Sequence, residues 1–465
     1  MSAQNVMTLN PEQAVYTLVV GLGKTGLSVV RYLRGLGENI IVVDSRDIPP
    51  GLTELKDGFS DVRYHTGSFD DVLFVNAHRI IVSPGVALSE PALVAAKNND
   101  IEIIGDIDLF AHEVNAPVVG ITGSNGKSTV TSLLTLMASQ AGLNSVASGN
   151  IGTPVLDSLS DDVDLYVLEL SSFQLETLQR LPMKAAVVLN ISADHLDRYE
   201  SVSAYALSKQ VIYDNADVLV VNRDDELAGH PVSAATAKKQ IGFTLNTAAE
   251  NEFGFCEYEK CNNFNAENSR QVINLCFGNR YLVAADELKI KGRHNLQNAL
   301  AALALGYALG LPLENMIAAL KSFSGLPHRS QFVAQINNVN WINDSKATNV
   351  GACVAALEGL PGKHVLIAGG ESKGADFSEL TAAIEKHCRA VVLIGKDAEM
   401  IRSIMPQDVT VSLAGDMSSA VAAAQSMAHA GDNVLLAPAC ASFDMFENFE
   451  HRGDVFMQSV EALKS

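Results

Sequence analysis

The sequence predicts a three-domain α/β protein. Its 465 residues are enough for about three domains of ordinary size. Short apolar runs alternate with longer amphipathic patterns through most of the chain, as parallel strands joined by helices require. That alternation restarts twice, which divides the chain into residues 1–105, 106–325 and 326–465. A composition of 48% hydrophobic and 18% charged residues excludes a disordered chain, and no short-period repeat suggests a solenoid.

The first block opens with the strand YTLVV, followed by the loop GLGKTG (Gly21, Gly23, Gly26), the helix SVVRYLRGL and the strand NIIVVD. Asp44, which ends that second strand, lies 18 residues beyond Gly26. A tight turn, close backbone approach and a downstream acid form a dinucleotide-type fingerprint, so this domain reads as Rossmann-like. Either a nicotinamide cofactor or a sugar-nucleotide diphosphate fits, because both carry a pyrophosphate and a ribose. The block closes near IEIIGDIDLFAHEVNAP.

The second block opens with PVVGIT and the loop TGSNGKST, in which Lys127, Ser128 and Thr129 begin a helix. Backbone N–H groups of Gly123, Ser124, Asn125 and Gly126 can cradle phosphates, Lys127 can bridge them, and a hydroxyl can reach Mg²⁺. A full Walker A needs glycine where Ile121 stands, so this is a shorter P-loop type. The strand DLYVLEL delivers Glu169 near the same end of the sheet, a natural metal-ligand position.

Residues 201–215 read as a helix that sets Lys209 among Tyr205, Ala206, Ile212 and Tyr213. Such a lysine either snorkels outward or is desolvated, and a desolvated neutral amine can form a carbamate that binds metal. His195 is a further candidate ligand. Between about Ile241 and Ile290 the pattern turns short and polar, as appended antiparallel strands or a decorated loop would. The run from Leu296 to Leu311 is too short and polar for a bilayer span and reads as a core helix. The third block repeats the alternation through WINDS, HVLIAGG, AVVLIG, VTVSLA and NVLLAPA, again Rossmann-like.

Lys+Arg number 33 against 53 Asp+Glu, a formal net charge of −20. Nucleic acid is therefore not expected as a partner, and any anionic ligand must be held by local devices. The first residues show no basic, apolar leader, and the six cysteines lack zinc spacing. Reduced thiols, a cytoplasmic location, no membrane insertion and a monomer are the expectations.

ITGSNGKST, GNIG, LELSSFQL, NISADHLDRY, KGRHNLQNALAA, GLPHR, NDSKATN and PACASFDMFENFEHRG follow one another in order along the chain. Together they resemble the Mur ligase family of ATP-dependent amide-bond ligases. GLGKTG with IIVVD, SPG at Ser83–Gly85 and AGGESKGADFSEL are similar to its D-glutamate-adding members. The resemblance implies addition of D-glutamate to UDP-N-acetylmuramoyl-L-alanine, a step of peptidoglycan precursor synthesis, with ATP and Mg²⁺. It puts Gly23, Lys24, Thr25, Gly26, Asp44, Ser45, Ser83, Asn150 and His195 around the UDP substrate. It puts Asn295, Asn298, Arg329 and Asp344 with the phosphate loop around ATP. Lys346, Thr348, Lys373, Ser442 and Phe449 resemble the D-glutamate pocket. Ser128, Glu169, His195 and carbamylated Lys209 would hold metal, and Lys127, Glu169, His195, Lys209 and Arg329 carry the catalytic roles. Closure would hinge near residues 105–117 and 325–329. One departure is visible: where the family often has Glu two residues after Arg329, this chain has Gln331. The alternatives are a related ligase for another amino acid, a nicotinamide-dependent oxidoreductase with a fused ATPase, and a non-enzymatic nucleotide switch.

Overall fold

The computed structural model describes residues 15–196, 198–231, 238–256, 273–372 and 376–464, which fall into two compact units. The first comprises residues up to Val118 and Val146–Met183; the second comprises Val119–Ser145 and everything from Lys184.

In the first unit, β1 (Thr17–Val20), β2 (Ile40–Asp44), β3 (Arg63–Thr66), β4 (Arg79–Val82) and β5 (Glu102–Ile104) form a parallel sheet in the order β3-β2-β1-β4-β5. Its central strands are buried throughout, which is why they read as unbroken Val/Ile/Leu runs rather than alternating ones. Leu18, Val20, Ile41, Val43, Ile80 and Val82 pack with Phe74 on one face of that sheet. The chain order reverses at β1, between β2 and β4, so the loops after β1 and β4 flank a crevice of the kind where α/β sheets bind ligands.

Next along the chain come β6 (Val118–Thr122), β7 (Ser145–Gly149), β8 (Leu165–Glu169), β9 (Met183–Val188) and β10 (Ala216–Asn222). After them follow β11 (Lys239–Thr247), β12 (Glu252–Cys256), β13 (Asn274–Phe277) and β14 (Arg280–Ala284). β7 and β8 lie side by side in the first unit, whereas in the second the order runs β14-β13-β12-β11-β10-β9-β6. β6 and β9 are parallel, as are β10 and β11, while β12, β13 and β14 pair antiparallel. The predicted antiparallel addition is present.

Helix Arg293–Ala308 is buried along nearly its whole length, a core helix as the sequence suggests. Helix Val202–Asp214 begins where Ser201 caps it, its side chain accepting a hydrogen bond from the Ala204 N–H.

The cysteine expectation needs correction. Cys256 on β12 and Cys276 on β13 form a disulfide, because antiparallel pairing of those strands brings their side chains together. Cys353, Cys388 and Cys440 are free, buried thiols.

The last sheet contains β15 (Gln331–Ile336), β16 (Val339–Asn343), β17 (His364–Gly369), β18 (Cys388–Ile394), β19 (Thr410–Leu413) and β20 (Asn433–Leu436), in the order β15-β16-β20-β17-β18-β19. All its pairings are parallel except the β15–β16 hairpin. Successive residues of β16 enter opposite cores: Trp341 joins Phe456, ring centroids 6.2 Å apart, and Ile342 joins Leu357 and Leu435. No described helix is long and apolar enough to cross a membrane.

Candidate functional site

The first glycine loop is shaped by what it cannot contain. A Cβ on Gly26 would lie within 1.9 Å of the Gly21 carbonyl oxygen, so only glycine lets the helix start this close to the turn. Ser83, from the loop after β4, donates its hydroxyl to that same carbonyl at 3.2 Å. Asp44 ties the turn to β2: its Oδ2 accepts from the Leu22 N–H at 2.7 Å and its Oδ1 from the Arg46 N–H at 2.9 Å. The Arg46 guanidinium adds a fork at 2.8 and 2.6 Å. Much of this carboxylate's acceptor capacity therefore serves the protein's own loop. Lys24 and Ser45 are exposed and Gly23 and Thr25 half-buried, beside the crevice that the strand order creates.

Elsewhere in the first unit, Gly149 at φ +97° lets the GNIG turn lie against β8, where a Cβ would meet the Glu169 carbonyl oxygen at 2.4 Å. Asn150 follows, its N–H bonded to that carbonyl at 2.8 Å and its Nδ2 to Glu169 Oε1 at 3.0 Å. Glu169 Oε2 is buried with no hydrogen-bond partner. An orphaned carboxylate oxygen is costly unless a cation or water meets it, and it fits a Mg²⁺ ligand.

In the second unit the phosphate-type loop lies between β6 and helix Lys127–Gln140. Gly126 takes φ +85° in the left-handed region and a Cβ there would strike Asn298 Oδ1 at 2.3 Å. The Lys127 ammonium donates to the Gly123 and Ser124 carbonyls at 2.7 and 2.9 Å, folding its charge over the loop. Asn190 braces Asn125 with a reciprocal pair of bonds at 2.8 and 3.1 Å.

Lys209 is 1% exposed, which selects the desolvated reading over snorkelling. Its Nζ lies 3.4 Å from Thr122 Oγ1 and 4.6 Å from the centroid of Tyr205. His195 stands in the left-handed region at φ +55°, its ring 6.2 Å from Tyr205 and its Nε2 3.9 Å from Asp194. Among the described residues, no cluster of three or more His, Cys, Asp or Glu side chains forms. A cation on this side would therefore depend on hydroxyl, imidazole and carbamate donors.

One cavity of about 250 Å³ gathers residues from five segments of this unit. Asn125, Gly126 and Thr129 come from the loop and its helix, Asn295 and Asn298 from helix Arg293–Ala308, Arg329 from before β15, and Asp344 and Lys346 from after β16. Arg329 Nη2 donates to Ser128 Oγ at 2.7 Å. Burial pushes the Asp344 carboxyl up, an effect only partly offset by His294. Lys346 Nζ stands 3.9 Å over the ring of Phe449, whose carbonyl accepts from Ser345 Oγ at 2.8 Å. Ser442 is buried and Thr348 half-buried; Lys373 lies outside the described residues.

Sequence reasoning missed several members. Asn349 caps the helix Val350–Gly359 and bridges Asn125 Oδ1 at 3.3 Å and Asp194 Oδ2 at 3.2 Å. Asn190, His294 and Ser330 also line the cavity. Gln331, the departure noted above, accepts through Oε1 from the His328 N–H at 2.9 Å, so the amide has local backbone work.

Two nucleotide-type loops and a cavity joining a lysine loop to a distant arginine and aspartate define a nucleotide-binding α/β class, and the comparisons give the family. Residues 15–105 match the Mur ligase MurD-like N-terminal domain, 121–306 the Mur ligase middle domain, and 328–440 the Mur ligase glutamate ligase domain. The chain belongs to the Mur ligase family. Among its relatives, the UDP-N-acetylmuramoylalanine--D-glutamate ligase of Nitrosococcus oceani is 49% identical over 460 residues, 98% of this chain and 99% of that one. The protein of the same name from Pseudomonas aeruginosa is 48% identical over 452 residues, 96% and 98% of the two chains. The MurF ligase of Thermotoga maritima, solved in complex with ADP, shares the fold at a TM-score of 0.60 and 16% identity, over 92% of this chain and 96% of that one. A pseudomurein peptide ligase type C from Methanothermus fervidus gives 0.59 at 21% identity, over 96% and 100%.

Proposed function

We propose that this chain joins D-glutamate to UDP-N-acetylmuramoyl-L-alanine at the expense of ATP, a cytoplasmic step of peptidoglycan precursor synthesis carried out by a monomer. The observation that carries the reading is the cavity where Gly126, Asn298, Arg329, Asp344 and Lys346 meet, in a chain whose near-full-length relatives bear that name.

A carboxylate and an amine do not condense unaided in water, so the carboxylate must be activated. Its oxygen attacks the γ-phosphorus of ATP, the bond to the β,γ-bridging oxygen breaks, and ADP leaves as the acyl phosphate forms. The neutral amine of D-glutamate then attacks the acyl carbon, and the tetrahedral intermediate collapses to the amide and inorganic phosphate. Negative charge gathers on phosphoryl oxygens first and on the oxyanion second.

Lys127 and the N–H groups from Gly123 to Thr129 hold the phosphates, and Arg329 adds a second cation beside Ser128. Asn295, Asn298 and Asp344 complete the ATP contacts. Lys346, Thr348, Lys373, Ser442 and Phe449 receive D-glutamate, whose two carboxylates call for lysine and hydroxyl partners. The ring of Phe449 under Lys346 fixes where that ammonium points. Gly23, Lys24, Thr25, Gly26, Asp44, Ser45, Ser83, Asn150 and His195 receive the UDP substrate. When bound, Mg²⁺ supplies charge neutralisation on the phosphate oxygens. Ser128, His195 and carbamylated Lys209 would hold it in the second unit, and Glu169 is the candidate metal ligand of the first.

Phosphate release measured with ATP, Mg²⁺ and UDP-N-acetylmuramoyl-L-alanine across a panel of amino acids tests the reading. Release is expected with D-glutamate alone; equal release with another amino acid overturns the assignment.

A further inference from the structure

Three side chains on the wall of the second unit's cavity form a connected group, and the reaction above leaves two of them, His294 and Ser330, without a role. Ser330 Oγ lies 3.3 Å from His294 Nε2 and 3.3 Å from Asp344 Oδ2. All three residues line the cavity, and they come from helix Arg293–Ala308, the turn before β15 and the loop after β16.

The proton positions follow from what each group can donate. The Ser330 hydroxyl gives its single proton to Asp344 Oδ2. Its oxygen is then left to accept from His294 Nε2. On its other side the ring meets the Ala355 backbone, so the imidazole is held between that segment and Ser330. Burial also lowers the affinity of this imidazole for a second proton, against the opposing pull of Asp344. Two glycines pack against the ring: a Cβ on Gly359 would come within 2.7 Å of Nδ1, and one on Gly292 within 2.9 Å of Cε1. His294 is thus fixed on its back face, with Nε2 turned toward Ser330.

Ser330 is held at some cost. Its φ is +44° and that of His328 is +59°, so left-handed residues flank Arg329 on both sides. A serine in that conformation persists only where its surroundings demand it. Here it puts the hydroxyl between the imidazole and the carboxylate while Arg329 reaches Ser128.

We propose that Ser330 is a positioning residue for the nucleotide, a hydrogen-bonded bridge through which His294 fixes the Asp344 carboxylate on the cavity wall. The proposal rests on the ATP-dependent reaction above and extends it to two residues that had no part in it.

Ser330→Gly is the informative variant, because glycine removes the hydroxyl and the backbone strain together. The expected result is a KM for ATP raised about tenfold, as loss of one hydrogen bond to a charged group implies. The KM values for D-glutamate and the UDP substrate stay within about twofold, and the thermal midpoint does not fall. Ser330→Asn, which tolerates the left-handed region and carries both a donor and an acceptor, restores most of the ATP affinity. His294→Leu combined with Ser330→Gly costs no more than either change alone, since both break one bridge. A KM for ATP within twofold of native in Ser330→Gly overturns the proposal, as does an equal rise for all three substrates. Calorimetric titration with ADP separates the two readings. Native protein that binds ADP but forms no product with D-glutamate defeats the proposed reaction, whereas unchanged ADP affinity in Ser330→Gly defeats the bridge.

Discussion

At Asp44, burial alone would push the carboxyl pKa up, yet the Arg46 guanidinium and the N–H groups of Leu22 and Arg46 together hold it below the usual value. Arg46 is half exposed, so solvent screens its share and the backbone donors matter more. A depressed folded-state pKa contributes stability that is present above the unfolded value and lost as pH falls through the folded one. Chemical denaturation from pH 7 downward should therefore show the native protein losing stability near pH 4 that Asp44→Asn does not lose, with the variant about 1–3 kcal/mol weaker at pH 7. Lys127→Ala should cut turnover by about 10²–10³ with unchanged circular dichroism, because it removes one preorganised donor from the transition state. Wild-type-like phosphate release would refute its role. Lys209, at 1% exposure, supports a sharper test: Lys209→Ala should lose activity that added short-chain carboxylic acids partly restore. No rescue would exclude the carbamate.

At the scale of elements, the helix that carries Lys209 was legible because its start and its buried face are both local signals. Ser201 caps it, and Tyr205, Lys209, Ile212 and Tyr213 share the buried side. What was not legible is what arrives from elsewhere. Asn349 meets Asn125 across 224 residues of sequence, and no periodicity announces such a contact. Nor could spacing show Cys256 bonded to Cys276, since that depends on strand pairing. The helix Asp106–Glu113 supplies the pH prediction at this scale. Burial pushes the Asp106 carboxyl up to about 6, outweighing the N–H groups at the helix start that favour its ionised form. A raised carboxyl pKa makes the folded state bind more protons, so stability falls as pH rises from about 4 to 6. Asp106→Asn should flatten that stretch of the thermal-midpoint profile; an unchanged slope would show that another group causes it.

Across the whole molecule the net charge of −20 opposes every proposed ligand, since ATP, the UDP substrate and D-glutamate are all anions. Raising ionic strength from about 10 to 150 mM shortens the Debye length from about 30 to 8 Å and should raise kcat/KM for the UDP substrate. A fall instead would mean that local cations govern encounter. The three-domain α/β fold was readable from alternation and two glycine loops, whereas the two-unit grouping was not, because residues 146–183 belong with the first unit despite following the phosphate loop.

That discontinuity gives the buried indole of Trp341 an unplanned use. It is the sole tryptophan of the chain and lies in the second unit, packed beside Phe456. Its emission is therefore a private reporter of one unit, while far-ultraviolet dichroism sums over both. In a denaturant titration, coincident curves would mean that the chain, which passes between the units three times, melts as one cooperative body. Separated curves would give each unit its own free energy of unfolding, with no label and no substitution required.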